Sequence, residues 1–586
     1  MRIITNYESL CGFLYIYGYT SLVMKRLLLL LIILFSTIIS FGQTPVFEWA
    51  KGMGGSFESQ GYSIVSDSLG NVYSVGYFKD TIDFDPGIGV YNLVSIGYFD
   101  TYILKLDANG DFVWAKQFGG ATSRCYGYDI ALDSSNNVYT VGQFQGIVDF
   151  NPSVGIDSLN TLGYDNAFVS KLDANGNFVW AKMLGDSSYS YGRAIDIDAL
   201  GDVYSIGYYS GFGDFDPGVS TYDINFSGGY DIFISKLDNN GNFVWAKQVG
   251  GNYDDYGSSI SIKSNGNIII AGSFQNWVDF DPGSGTFDMA PIGLGAHDVF
   301  VEELDGFGNF IWAKSFGGSD TESGKATLDE IDNIYLTGYY KDMADFDPGV
   351  GVFNMTPVGS YDIFISKLDQ VGNFLWAKSI GGPSIEFSYS LITDGSGNVY
   401  TVGAFNATVD FDPGLGIANV TSFGNYDMFI SKLDLLGNYI WVSQIGGSQG
   451  DYCNSISLDV NNNIYTTGYF KGVADFDPGA GIYNLTSVSS VSQENAFVHK
   501  MSQPPVGINE YNSNNSSISL FPNPTSSNII IETTKPTSIS IVNIVGQELF
   551  ASKIEKSQKI DISFLSNGIY FVKDLNNGGS VKFIKQ

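Results

Sequence analysis

Two aspartates flanking a phenylalanine and running into a Pro-Gly turn, DFDPG, stand at residues 83–87 and return at 214, 279, 345, 410 and 475, with a worn copy, DFNPS, at 149. Alternate positions of a strand share one face, so each copy presents a pair of oxygen donors. The pairs are Asp83 with Asp85, Asp149 with Asn151, Asp214 with Asp216, Asp279 with Asp281, Asp345 with Asp347, Asp410 with Asp412 and Asp475 with Asp477. A third acid follows in every copy: Asp100, Asp165, Asp231, Asp298, Asp362, Asp427 and Glu494. Three carboxylates beside a backbone carbonyl suit a hard cation, here Ca²⁺ held weakly and for stability, with Asn151 offering an oxygen of less charge. Asp ahead of Pro-Gly also accepts hydrogen bonds from its own backbone, which needs no ligand. Sequence alone leaves both readings open, the turn being the plainer.

Catalytic constellations are sparse. The chain has two histidines, His297 and His499, in different repeats at non-equivalent positions. His297 fills a slot held elsewhere by Phe99, Tyr164, Tyr230, Tyr361 and Tyr426, so an aromatic packing role is expected. No Ser-His-Asp, Cys-His, zinc-ligand or phosphate-loop pattern stands out. Carboxylate pairs can serve glycoside cleavage, but a specialised active site breaks a repeat, whereas these pairs follow it.

The DFDPG copies recur at steps of 65 or 66 residues, and Trp49, Trp114, Trp180, Trp245, Trp312, Trp376 and Trp441 mark a second fixed position. Within one period, GYSIVSDS, NVYSVGYF, TYILKLD and DFVWAKQF each alternate apolar and polar residues over a strand's length. Four strands per repeat is the count of a propeller blade. The turn between the first two strands (DSLGN, DSSNN, DALGD, KSNGN, DEIDN, DGSGN, DVNNN) always has Gly, Asn or Asp fourth, the types that tolerate positive φ. Between the third and fourth strands Gly110, Gly176, Gly241, Gly308, Gly372 and Gly437 fill the matching place. A calcium-loop reading of DANGD fails there, because other copies put Phe307, Val371 and Leu436 where a ligand oxygen belongs. DFDPG itself lies in an insertion of roughly twenty residues between the second and third strands, read as a small hairpin whose Phe packs on the blade.

The array begins with a Trp strand, FEWAKGM at 47–53, and stops after a third strand, AFVHKM at 496–501. The N-terminal strand is therefore expected to complete the seventh blade, which removes two sheet edges. An open solenoid has no use for such complementary halves. The expected fold is all-β: a seven-bladed β-propeller over 43–501, a linker over 502–517 and a small C-terminal β-sandwich over 518–586. The strings DxxGNVYxxG and FIxKLDxxGNxxWAKxxGG resemble the bacterial beta-propeller repeat family (SBBP-like). They are also reminiscent of NHL-type propellers, without those proteins' basic faces.

Acidic residues outnumber basic ones 61 to 29, for a net charge of −32. Such a surface repels nucleic-acid phosphates and anionic lipid heads and suits an extracellular protein. MKRLLLLLIILFSTIISFGQ, from Met24 to Gln43, has the charged start, apolar core and small-residue exit of a signal peptide. Its core is shorter than a spanning helix needs. Residues 1–42 thus read as an over-extended start plus signal peptide, with Met24 the true start. Beyond it, Cys125 and Cys453 sit in non-neighbouring repeats and make no disulfide framework.

After a Pro, Asn and Ser-rich stretch the composition turns mildly basic. LFPNPTSSNIIIE, VNIVGQEL, LSNGIYFVK and a terminal VKFIKQ resemble the type A C-terminal sorting domain of the type IX secretion system, on Pro522, Asn523, Pro524, Gly546, Gly568, Tyr570 and Lys582. That resemblance implies export across the outer membrane and the secretion machinery as a partner, with the passenger then anchored or released. The whole reads as a monomeric secreted or surface propeller, a binding or structural module for an extracellular glycan or protein. The alternative is a polysaccharide-active enzyme scaffolded on the propeller.

Overall fold

The computed structural model describes residues 44–503 and 518–585, apart from 56, 162–163, 186–188, 225, 293–295, 319–322, 488–492, 544–547, 567 and 576–579. The signal segment, most of the linker and Gly546 lie outside the described residues. The chain forms two compact units, one ending at Gln503 and one beginning at Pro504. Gln503 belongs to the first because its side chain accepts from Lys432 Nζ (2.9 Å) and donates to Tyr400 Oη and the Asn462 carbonyl (both 2.8 Å).

Among the described residues the first unit is built from seven repeated four-stranded antiparallel cores. In the first, Ser59–Ser66, Val72–Phe78, Asp100–Leu106 and Phe112–Phe118 lie side by side in chain order. Every residue of Val72–Phe78 is buried, as expected of a central strand covered on both faces. The first strand of each sheet lies against that of the next, and Tyr452–Leu458 of the last returns to Ser59–Ser66. The repeated sheets are thus arranged as in a propeller, with apolar layers between neighbours. Tyr73, Val75 and Phe118 of one sheet, for example, share a cluster with Val138, Phe144 and Phe168 of the next.

Closure follows the half-repeat logic. Val46–Met53 pairs antiparallel with Glu494–Ser502, in a register running from Val46 opposite Ser502 to Met53 opposite Ala496. Met53, Tyr465, Ala496 and Val498 then pack against Ile64, Val72, Phe78 and Leu104 of the first sheet.

The hairpin turns match their chemistry. Gly70, Asn136, Gly201, Gly266, Asp332, Gly397 and Asn462 all have positive φ, and so do the six third-turn glycines. At Gly110 a Cβ would also stand 2.8 Å from the Trp49 ring, so the turn seats the preceding sheet's tryptophan. Trp49 Nε1 donates to the Ala108 carbonyl of that turn at 3.3 Å. Beneath most first turns lies a repeated trio of Asp, Tyr and Lys: Lys171 sits 4.8 Å over the Tyr139 ring and 3.9 Å from Asp133, and Lys432 repeats this with Tyr400 and Asp394. The fourth sheet reverses the charges. Lys263 stands at the acid's position and Glu303 at the lysine's, bonded at 2.9 Å, with Trp312 Nε1 also on Glu303.

The second unit has a three-stranded sheet (Ile518–Phe521, Asn528–Thr533, Ser557–Asp561) and a four-stranded one (Glu548–Ile554, Thr537–Asn543, Gly568–Asp574, Ser580–Lys585). They share a core of Ile529, Ile531, Ile541, Val572 and Phe583.

Deleting residues 44–55 removes the outer strand of the last sheet and bares the edge of Glu494–Ser502. The expected result is a lower melting temperature with dimers or aggregates in size-exclusion chromatography, since an unpaired edge is a template for pairing. An unchanged, monomeric protein would show that the strand does not close the ring.

Candidate functional site

The aspartates of DFDPG bond their own corner. Asp83 Oδ1 accepts from the backbone N–H of Asp85 (3.0 Å) and Tyr91 (2.8 Å), and Asp85 Oδ1 from that of Gly87 (2.8 Å). The same three bonds recur for Asp214 and Asp216, Asp279 and Asp281, Asp345 and Asp347, Asp410 and Asp412, and Asp475 and Asp477. In the worn copy Asp149 accepts from Asn151 and Asp157, and Asn151 from Ser153.

The hairpin reaches past its own sheet to the preceding one. Val278–Asp279 pairs with Gly250 and Gly251 at the end of the previous fourth strand, Ala344–Asp345 with Gly317 and Gly318, and Val473–Asp475 with Gly446 and Gly447. The central Phe is a wedge between sheets. Phe150 is fully buried and meets Phe144 and Phe168 of its own sheet and Phe118 of the one before, with centroids at 5.4, 4.9 and 5.2 Å.

The third acids serve a different contact. Asp100, Asp231, Asp298, Asp362 and Asp427 are buried, each accepting from a backbone N–H of the loop just before its strand, those of Ile96, Ser227, Ile292, Val358 and Phe423. Each also packs against the first glycine of the Gly-Gly pair in its own sheet; a Cβ on Gly119 would stand 2.0 Å from Asp100 Oδ2. In the second and last sheets the equivalent register position is held by Asn166 and Asn495, opposite Phe144 and Phe470. Asp165 and Glu494 lie one residue earlier, and Glu494 pairs with Lys471 at 2.9 Å. The pair and the third acid of one repeat therefore face different neighbours. Among the described residues no group of three or more His, Cys, Asp or Glu side chains gathers in a metal-holding arrangement.

Several of these acids sit beside a second one. Burial pushes Asp231 up to about 7 and Asp427 to about 6. Burial, with the neighbouring charges of Asp231 and Asp427, pushes Asp255 up to about 8 and Asp451 to about 7. Cys125 and Cys453 are free and buried. His499 is buried, its pKa pushed down to about 3 by burial, and His297 packs 5.7 Å from the Tyr256 ring.

A site that the acid pattern does not mark lies where the first strands converge. In six of the seven cores the first strand carries a bulge, which re-aims one side chain. It falls at Tyr62, Tyr128, Arg193, Ser258, Tyr389 and Asn454, each skipped by the pairing register. Lys325 holds the same sequence position in the fifth core, where the register runs through without a shift. All seven residues line one cavity of about 650 Å³, together with Gln60, Tyr208, Tyr256, His297, Tyr339, Tyr452 and Tyr469. Tyr62 and Tyr128 meet edge to face at 5.1 Å. The Arg193 guanidinium stacks 4.4 Å over Tyr128 and 5.1 Å over Tyr208, and donates to Tyr208 Oη. Deeper in, Asp129 takes bonds from Ser63 Oγ (2.7 Å), Ile130 N (2.9 Å) and Ile195 N (3.0 Å), so it ties the first strands of three neighbouring sheets together. In sequence the site falls on the residue after the small Gly, Ser or Cys of each first strand, which is Tyr in three copies and Arg, Ser, Lys or Asn in the others.

In the second unit Asn523 donates to the Lys582 carbonyl and accepts from Ile584 N, both at 2.9 Å, clamping the last strand. Tyr570 stacks on Phe583 at 5.6 Å, while Gly568 opens the strand that carries it. Pro522, Asn523, Pro524 and Lys582 are exposed.

The chain carries beta-propeller repeats, matched over residues 113–143 and 440–469, and ends in a secretion system C-terminal sorting domain, matched over 519–586. It is a propeller protein exported by a type IX-like secretion system, destined for secretion or the cell surface. The sorting domain implies interaction with that machinery. No helix among the described residues is long and apolar enough to cross a membrane. The chain is similar to an uncharacterized WD repeat-containing protein of Acanthamoeba polyphaga mimivirus, 22% identical over 72% of this chain and 36% of the relative. It is also similar to the regulatory protein FlaEY of Caulobacter vibrioides, 23% identical over 30% of this chain and 18% of the relative. The match thus spans only about a third and a fifth of those relatives' lengths. Among solved structures, a Bacteroides caccae protein of unknown function gives a TM-score of 0.30 at 8% identity, covering 61% of this chain and 94% of its own. An ulvan lyase of a new polysaccharide lyase family gives 0.35 at 12%, covering 72% and 93%. Both scores are too low for anything to be carried from those proteins to this one.

Because one oxygen of each corner carboxylate holds backbone N–H groups of its turn, Asp345→Asn with Asp347→Asn is expected to cost about 1–3 kcal/mol through weakened turns. Millimolar calcium and a chelator are each expected to leave the melting temperature unmoved; a calcium-dependent rise reversed by chelator in scanning calorimetry would overturn this. The buried acids set a pH dependence. An unfolded Asp releases its proton near 3.9, whereas Asp231, Asp255, Asp427 and Asp451 hold theirs to higher pH in the fold. The folded state therefore binds more protons between about pH 4 and pH 8, and stability falls as pH rises through that window. Melting is expected at a higher temperature at pH 5 than at pH 8, and the reverse order would contradict it.

Proposed function

We propose that the first unit is a seven-bladed propeller that acts outside the cell as a binding module without catalysis of its own, and that its ligand seats in the axial cavity. The bulge position carries the reading. At it the copies hold Tyr, Tyr, Arg, Ser, Lys, Tyr and Asn in turn, and all seven line one cavity. Seven side chains of differing chemistry converging on one cavity offer one shaped ligand different contacts from different directions. The corner aspartates, spent on their own turns, are scaffold in this reading. Aromatic walls with a few convergent polar groups are the make-up of small-molecule sites, and the cavity is of their size.

A screen of extracellular glycans and surface proteins, run with the native protein and with Tyr62→Ala and Tyr389→Ala, tests this. A ligand weakened about tenfold or more by either change, in line with losing an aromatic contact of about 1.5 kcal/mol, is expected. A ligand indifferent to both but sensitive to changes on the outer strands would overturn the axial site. Export makes a separate claim: removing 518–586 should strand the propeller in the periplasm of a host with this secretion system. Normal surface or medium levels without the tail, measured by fractionation, would contradict it.

A further inference from the structure

From the charge and make-up of the axial mouth we infer that its ligand is the end of an acidic oligosaccharide, whose carboxylate or sulfate seats between Arg193 and Lys325. The inference rests on the axial binding reading above.

The chain is strongly acidic, and Arg124 and Arg193 are the only arginines between residues 44 and 586. One of these two, Arg193, is turned into the axial cavity by its bulge, and Lys325 lines the same cavity. The two cations line one cavity, and Arg193 acts to lower the pKa of Lys325 against a larger opposing effect of Asp129. Among the described residues neither has an ion-pair partner within salt-bridge distance. The nearest carboxylate acting on Lys325, Asp129, already takes one hydroxyl and two backbone N–H bonds. Two like charges sharing one cavity repel, and an anion between them relieves that repulsion. Arg193 is held by Tyr208 and Tyr128, so its guanidinium is oriented before any ligand arrives.

The rest of the lining selects the body that carries the anion. It is tyrosine rings, amides and hydroxyls, including Gln60, Ser258, Ser273 and Asn454, and it contains no Leu, Ile, Val or Met. A sugar ring presents hydroxyls to amides and a C–H face to tyrosine, so it satisfies both kinds of wall.

Titration calorimetry of the full chain with three oligosaccharides of matched length, one of uronates, one sulfated and one neutral, decides the matter. At least one acidic probe is expected to bind about tenfold or more tighter than the neutral one, the order of one charge-assisted hydrogen bond, and to weaken with added salt. Which acidic probe binds identifies the anion as carboxylate or sulfate. Lys325→Ser installs the residue that Ser258 provides in the fourth sheet, and should abolish most of that preference. Arg193→Gln should do the same, and Lys325→Arg should restore it; circular dichroism checks that each variant is folded. Equal binding of the neutral probe, or an acidic preference that survives Lys325→Ser and Arg193→Gln in folded protein, overturns the acidic ligand while leaving an axial site. Binding indifferent to Tyr62→Ala and Tyr389→Ala removes the axial site itself. No binding of either acidic probe overturns the inference.

Discussion

Everything in the first unit depends on the pairing of Val46–Met53 with Glu494–Ser502. Each sheet buries its two faces only because a neighbour stands on either side, so an array that failed to meet itself would leave two apolar faces in water. The register solves both problems at once: it completes the last sheet, and it places Met53 in the cluster that joins the last sheet to the first. A contact between residues more than 400 apart in sequence replaces the capping units that open arrays need.

Between neighbouring sheets the ring is held in three tiers. Near the axis, where first strands do not pair backbone to backbone, side chains cross the gap, as Asp129 does to Ser63 and Ile195. In the middle lie the aromatic and aliphatic layers. Toward the outside, the DFDPG hairpin lays its backbone on the preceding sheet's Gly-Gly pair and drives a phenylalanine between them. The glycines are a steric necessity, since a Cβ on Gly120 would meet the Ile147 carbonyl at 1.9 Å. The corner aspartates keep their charge while their Oδ1 atoms hold the local N–H groups that shape the hairpin.

Strand pattern, turn chemistry and the half-repeats at the array ends were legible because each is a local consequence of residue type. Positive φ at Gly70, Asn136 and Asp332 follows from what stands there, and the Trp strand at the start had only one place to go. The destination of the hairpin was not legible. Alternation tells which face Phe84 and Asp83 take but not which sheet that face meets, so the pairs and the third acids looked like one constellation when they serve different contacts. The one-residue offsets at Asn166 and Asn495 were hidden because Asp165 and Glu494 imitate the motif in sequence. The axial cavity escaped for a further reason: its lining comes from one position of each copy, which holds Tyr, Arg, Ser, Lys or Asn and so forms no motif.

The reversed ion pair of the fourth sheet bears on how such an array changes over time. With Lys263 and Glu303 exchanged relative to the other copies, either substitution made singly would set two like charges against each other in a nearly dry site. Copies that have crossed that barrier no longer mix with those that have not: recombination inside a repeat, joining one copy's first strand to another's third, would yield the mismatched pair. The array therefore accepts exchange of whole units more readily than exchange of parts, and each unit that rewires its interior becomes tied to its own two halves while staying compatible, through the shared hairpin and glycine contacts, with its neighbours on either side.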